Sequence, residues 1–271
     1  MRGLFTAGVL DVFMEQGIEF AAACGISAGA SFGCNIKSKQ IGRTLRYNLK
    51  YSKDPRYGSL KNWLKTGDLF DAKFCYDTLP YELDPFDCET FESNPMDFYV
   101  GTTDVETGKC VYHKCTDGRR EDIRWIQASA SMPVVSKPVE IDGHAYLDGG
   151  ISDSVPFAFM ESIGFDRNVI VLTQPKGYRK HPGKHKTAMR VMLRKYPAVA
   201  RAIEARPVMY NRQMVDIDQR EKAGTALVIR PEESLGIGHT ENDPAELQRV
   251  YDLGREVALK RLDEVKAYLN T

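Results

Sequence analysis

The chain has 271 residues, 42% of them hydrophobic and 27% charged, with no low-complexity tract, which excludes disordered and fibrous classes. Its 37 Lys and Arg balance 37 Asp and Glu, so no global basic field holds a polyanion and nucleic acid is not expected as a partner. The longest apolar stretch, Ile18 to Gly33, is broken by Glu19 and falls short of the ~20 apolar residues of a membrane span. Asp11 and Glu15 sit where the apolar region of a signal peptide would be, so the expected location is cytoplasmic. Six cysteines (Cys24, Cys34, Cys75, Cys88, Cys110 and Cys115) show neither a C-x2-C pair nor a Cys/His metal spacing, which predicts free thiols and no zinc.

In chain order, Leu4 to Gln16 places Phe5, Val9, Leu10, Val12 and Phe13 on one stripe and ends at Gly17, which predicts a helix. Ile18 to Cys24 reads as a strand buried on both faces, entering Gly25-Ile26-Ser27-Ala28-Gly29 and a small-residue helix. Further buried strands are expected at Phe98 to Thr102, Val169 to Leu172 and Ala226 to Ile229, alternating with helices in an α/β layered fold. Tyr81 to Asp97 carries six acids and no base between Pro-marked turns, and reads as a solvated loop. Lys176 to Lys195 inverts that balance, with eight bases and no acid. Asp243-Pro244 opens a terminal helical region that carries Leu247, Val250, Val257, Leu262, Val265 and Leu269 in helical spacing. No linker cuts the chain into independent domains.

Gly25-Ile26-Ser27-Ala28-Gly29 has the G-x-S-x-G form, in which a sharp strand-to-helix turn lifts a serine Oγ out of a sheet beside a helix N-terminus. The same five residues also suit a plain turn. A serine nucleophile needs a base, and the histidines His113, His144, His181, His185 and His239 lie in no distinctive turn. Asp148 in Tyr146-Leu147-Asp148-Gly149-Gly150 follows a short apolar stretch and precedes two glycines, either as an ordinary turn aspartate or as a base whose pKa burial would raise.

Taken together, Arg2-Gly3, the G-x-S-x-G elbow, Ala128-Ser129-Ala130-Ser131-Met132-Pro133 and Asp148-Gly149-Gly150 occur in the order found in patatin-like phospholipases. The chain resembles a bacterial patatin-like acyl hydrolase. The resemblance implies a three-layer α/β/α fold over residues 1–175, with residues 176–271 as a helical extension packed on that core. It implies a Ser27–Asp148 dyad that cleaves acyl esters of lipids through an acyl-enzyme, supported by Gly25, Gly29, Gly149 and Gly150, with no cofactor and no metal. The family's oxyanion loop reads G-G-G-x-R-G, of which Arg2-Gly3 is the tail. Met1 is then expected to be an internal residue of that loop, and Arg2, Gly3 and the Ala28 N–H form what the sequence holds of the oxyanion site. Two other readings remain: an impaired lipid-binding relative lacking part of that loop, and a Ser-Asp-His esterase using His181, His185 or His239. A lipid substrate also gives Lys176 to Lys195 a use as a peripheral contact with an anionic membrane surface.

Overall fold

The computed structural model describes residues 1–183, 186–238 and 240–270. In chain order the elements are α1 (Gly3–Glu15), β1 (Ala22–Ile26), α2 (Ala28–Lys37), α3 (Arg43–Tyr51), α4 (Leu60–Thr66), α5 (Cys88–Ser93), β2 (Asp97–Asp104), β3 (Cys110–Cys115) and α6 (Arg120–Ala130). There follow β4 (Val139–Ile141), β5 (His144–Asp148), α7 (Phe157–Ser162), β6 (Asn168–Val171), α8 (Lys186–Met192), α9 (Pro197–Ala223), β7 (Ala226–Ile229), α10 (Pro244–Lys260) and α11 (Leu262–Asn270). A π-helix, Phe74–Leu83, lies between α4 and α5.

β2 organises the main, five-stranded sheet. β3 runs antiparallel along Phe98 to Thr103 of it. β1 pairs with it in parallel from Asp97 to Gly101, and β5 takes over antiparallel from Thr102 to Asp104, so β1 and β5 follow one another along the edge that β3 leaves. Both run toward the splice: Ile26 ends β1 opposite Gly101 and Asp148 ends β5 opposite Thr102. The two strand ends therefore meet head to head at neighbouring residues of β2.

Helices cover the sheets on both faces. Phe98 and Val100 share an apolar cluster with Ala30 and Cys34 of α2 and Ile123, Trp125 and Ile126 of α6. Leu147 of β5 points the other way, into a cluster with Val199 and Ala200 of α9 and Leu193 beyond α8. β6 and β7 form a parallel pair with the same alternation. Leu227 and Ile229 of β7 pack with α1 and α10, while Ala226 and Val228 pack with Tyr210, Met214 and Ile217 of α9. The result is the α/β/α layering that the resemblance implied.

Three expectations change in detail. β1 begins at Ala22, four residues after Ile18, because its pairing starts only where β2 begins at Asp97; Ile18 is buried in the core from the connection. Tyr81 to Asp97 is not a solvated loop throughout. It holds the end of the π-helix, the helix α5 capped by Asp87, and Asp84, a buried carboxylate that accepts from Arg46 at 2.8 Å through both oxygens. The third change concerns Lys180, which lies in the basic segment given a use at a membrane surface but lines the cavity of Ser27 instead.

Three residues of metal-ligating type, His113, Cys115 and Asp122, are brought together by β3 and α6, with ligand atoms within 4.8 Å of one another. The arrangement acts as a clamp. Asp122 Oδ2 accepts the N–H groups of Thr116, Asp117 and Gly118 at 2.8 to 2.9 Å, and Oδ1 lies 2.8 Å from His113 Nε2. Burial pushes this carboxyl up, but those hydrogen bonds outweigh it and hold Asp122 below the usual carboxylate range.

Candidate active site

Ser27 stands at the turn from β1 into α2 with φ 56° and ψ −121°, a backbone region that side chains other than hydrogen seldom occupy. Several contacts hold the strained residue. The Ser27 N–H donates to Ser129 Oγ at 2.9 Å, and Ser129 Oγ donates to the Gly101 carbonyl at 2.7 Å. Ser129 is fully buried, so this polar bridge between the elbow, α6 and β2 is worth more than a surface hydrogen bond. Gly25 permits the sharp turn: a Cβ there would lie 2.4 Å from the Gly29 carbonyl oxygen.

The Ser27 hydroxyl donates to Asp148 Oδ2 at 2.6 Å. Asp148 is fixed on every side. Its N–H donates to the Ser131 carbonyl at 2.8 Å, its carbonyl accepts from Thr103 Oγ1 at 2.8 Å, and its Oδ1 accepts the Gly150 N–H at 2.7 Å. Gly149 must be glycine for this packing, because a Cβ would stand 2.2 Å from the Gly101 carbonyl oxygen. Burial raises the Asp148 pKa, opposed by the hydrogen bonds from Ser27 and Gly150 and by the charges of Arg206 and Lys180. Such a carboxylate is more basic than one in water, which suits it to take a proton from a hydroxyl.

Two helix N-termini open onto Ser27. Gly3 begins α1 and Ala28 begins α2, and they adjoin so closely that a Cβ on Gly3 would lie 2.7 Å from the Ala28 Cβ. The Gly3 and Ala28 N–H groups belong to first helical residues, whose amides have no partner inside the helix, so the two helix dipoles favour negative charge at this spot. Gly29 faces open space and Arg2 lines the same cavity as Ser27 and Asp148. That cavity has a volume of about 690 Å³, with Phe32, Leu79, Phe157 and Met160 among its apolar walls.

No described histidine is hydrogen-bonded to Ser27 or Asp148. His113 is committed to Asp122, exposed His144 lies 4.0 Å from Asp104, and His181 is exposed. His185 and His239 lie outside the described residues. Two groups that sequence reasoning did not place in the site also line it, Lys180 and Arg206. Lys180 belongs to the basic run from Lys176 to Lys195, and nothing in local composition distinguishes it from its neighbours. Ser129 lies in the small-residue segment Ala128 to Pro133, but only the fold reveals it as the acceptor for the Ser27 amide.

Comparison with known proteins gives a match of residues 1–160 to the profile of the family described as "Patatin-like phospholipase". Residues 196–270 match a second profile, described as a domain of unknown function (DUF6363). The chain is 30% identical over 184 residues to the uncharacterized protein YjjU of Escherichia coli K12, covering 64% of this chain and 49% of that one. It is 26% identical over 170 residues to lysophospholipase nte1 of Emericella nidulans, covering 61% of this chain and 11% of that one. Identity to an uncharacterized NTE family protein of Mycobacterium tuberculosis is 24% over 170 residues, or 63% of this chain and 45% of that one. The chain thus spans half or less of the length of these relatives. Among solved structures, VipD from Legionella pneumophila superposes with a TM-score of 0.47 at 11% identity, over 97% of this chain and 65% of that one.

Proposed function

The chain belongs to the patatin-like phospholipase family, and we propose that it is a serine acyl hydrolase acting on ester bonds of phospholipids or other acyl lipids. The observation that carries this reading is the 2.6 Å hydrogen bond from the Ser27 hydroxyl to a buried carboxylate, at a strained elbow flanked by two helix N-termini. The family membership and the lysophospholipase named among the relatives support the lipid class of substrate.

Ser27 Oγ attacks the ester carbonyl carbon while its proton passes to Asp148 Oδ2. The carbonyl oxygen becomes an oxyanion at the Gly3 and Ala28 N–H groups, with Arg2 adding positive charge. Collapse breaks the bond to the alcohol, which leaves with the proton from Asp148, and the acyl group stays on Ser27. Water then gives its proton to Asp148 and attacks the acyl-enzyme carbonyl; collapse breaks the acyl–Ser27 Oγ bond, Asp148 returns the proton to Ser27 Oγ, and the fatty acid leaves. The apolar walls hold the acyl chain.

The test is hydrolysis of p-nitrophenyl esters and phospholipids by wild type, Ser27→Ala and Asp148→Asn. Each substitution is expected to lower kcat by about 10³-fold or more with the fold intact. Full activity in Ser27→Ala would move the chemistry to another site.

A further inference from the structure

The C-terminal third of the chain brings to the Ser27 cavity two cations that take no direct part in the bond-making and proton-transfer steps of acyl transfer. Lys180 is held by its backbone: its N–H donates to Asn211 Oδ1 at 2.8 Å, and Asn211 Nδ2 donates back to the Lys180 carbonyl at 2.9 Å. That double clamp to α9 turns the side chain inward, with Nζ 4.2 Å from the centroid of the Tyr210 ring. Arg206, on the same helix, reaches over Gly150. A Cβ on Gly150 would lie 3.1 Å from Arg206 Nη2 and 3.0 Å from Asp148 Oδ1, so the guanidinium stands next to the carboxylate that Ser27 addresses. Arg206 Nε makes a long 3.5 Å contact to Ser154 Oγ.

Arg2, Lys180 and Arg206 line one cavity, and among the described residues neither Lys180 nor Arg206 has a carboxylate within ion-pair distance. Asp148 is the anion that both feel, and it is already engaged by Ser27 and Gly150. Holding an ammonium here is costly: burial, and then the charges of Arg206 and Arg2, push Lys180 down to about 7. An anion placed between the two side chains would relieve that cost. The fatty acid released at Ser27 is not this anion, because its carboxylate forms where the ester carbonyl was. A second anion has to belong to the alcohol half of the substrate, and a guanidinium fork beside an ammonium suits a tetrahedral phosphate.

We propose that Lys180 and Arg206 bind the phosphate of an acyl phospholipid whose ester carbonyl lies at Ser27, so that phosphate-bearing lipids are preferred over neutral ones. This assignment rests on the hydrolase reading above. The kinetic test compares kcat/KM for a short-chain lysophosphatidylglycerol with that for the matching monoacylglycerol, in wild type, Lys180→Met, Arg206→Met and Lys180→Arg. Both rates respond to any change at Asp148, but their ratio does not. The ratio is expected to fall at least about tenfold in each Met variant and to recover in Lys180→Arg. A ratio within twofold of wild type in both Met variants overturns the proposal, whatever happens to the separate rates.

A binding test runs in parallel on Ser27→Ala chains by calorimetry. Affinity for the lysophosphatidylglycerol is expected to drop at least about tenfold when Lys180→Met or Arg206→Met is added, with monoacylglycerol much less affected. Inorganic phosphate binding as tightly as the lipid would make this a site for free phosphate and overturn the headgroup assignment. If wild type cleaves no ester while Ser27→Ala binds the lipid through Lys180 and Arg206, the hydrolase reading fails and the phosphate site stands.

Discussion

Ser27 pays for its position with backbone strain, and that gives a signature separable from catalysis. A residue held at φ 56° and ψ −121° costs about 1–3 kcal/mol, and glycine alone adopts that region without penalty. Ser27→Gly and Ser27→Ala both remove the hydroxyl, yet only the former relieves the backbone. Ser27→Gly is expected to melt about 2–12 °C above Ser27→Ala, taking roughly 2–4 °C per kcal/mol for a chain of this size. Equal melting temperatures by differential scanning calorimetry would show that the elbow stores no strain. Asp148 gives a second signature at the same scale. Its pKa is raised chiefly by burial, so if Asp148 is the proposed base, the ionised form that accepts the proton is lost as pH falls and the acidic limb of kcat/KM is expected above the usual carboxylate range. Arg206 favours the ionised form, so Arg206→Gln is expected to move that limb to still higher pH. An unmoved limb in a pH profile would mean that Arg206 does not act on the base.

Among the elements, α1 and α10 are bound through their glycines. A Cβ on Gly8 would stand 2.1 Å from the Tyr251 carbonyl oxygen, and one on Gly254 the same distance from the Phe5 carbonyl oxygen. The two backbones therefore touch, and polar groups fasten the contact at its end: Tyr251 donates to Asp11 Oδ2 at 2.6 Å, and Arg255 pairs with both oxygens of Glu15 at 2.8 Å. Because backbone cannot move aside as a flexible side chain can, Gly8→Ala and Gly254→Ala are each expected to destabilise the chain by about 1–3 kcal/mol, read by urea unfolding. The double variant should cost less than the sum, since one displacement of the helices relieves both clashes. This contact illustrates what sequence could and could not reveal. The helical stripe of Phe5, Val9 and Phe13 announced α1, and Asp243-Pro244 announced α10, because caps and periodicity are local. Their partnership, like the burial of Asp84 by Arg46 from 38 residues away, depends on tertiary distance. The Ser27 and Asp148 motifs were legible for the same local reason, each needing glycines around a turn. The splice of β1 and β5 along β2 that brings them together was not.

At the scale of the whole molecule, a net charge of zero conceals an uneven surface. Among the described residues, the segment from Lys176 to Lys195 divides its charge by location. Lys180 faces the cavity, while Arg179, Arg194 and Lys195 are exposed and, among the described residues, make no ion pair with a carboxylate. Lys176 and Arg190 are exposed too, but each is paired, with Glu221 and Glu204. Val191 and Met192 are 63% and 56% exposed on α8 in the same stretch, an uncommon outlay of apolar surface unless something apolar covers it. Among the described residues no helix is long and apolar enough to cross a membrane. For the proposed lipid hydrolase, the exposed cations and apolar residues of this stretch are a candidate surface for resting on a bilayer. Three unneutralised cations near an anionic surface contribute about 1 kcal/mol each, which corresponds to a preference of about 100-fold for anionic over zwitterionic vesicles. Sedimentation with vesicles of phosphatidylglycerol and of phosphatidylcholine is expected to show that preference at low salt. It should shrink as ionic strength rises, because exposed charges are screened within a Debye length of about 10 Å at 0.1 M. Replacing Arg179, Arg194 and Lys195 together by Gln should remove it while leaving the cavity-facing Lys180 in place. Equal partitioning of wild type into both vesicle types would assign the basic segment no role at a membrane, and would leave the exposed Val191 and Met192 as a contact surface for a different partner.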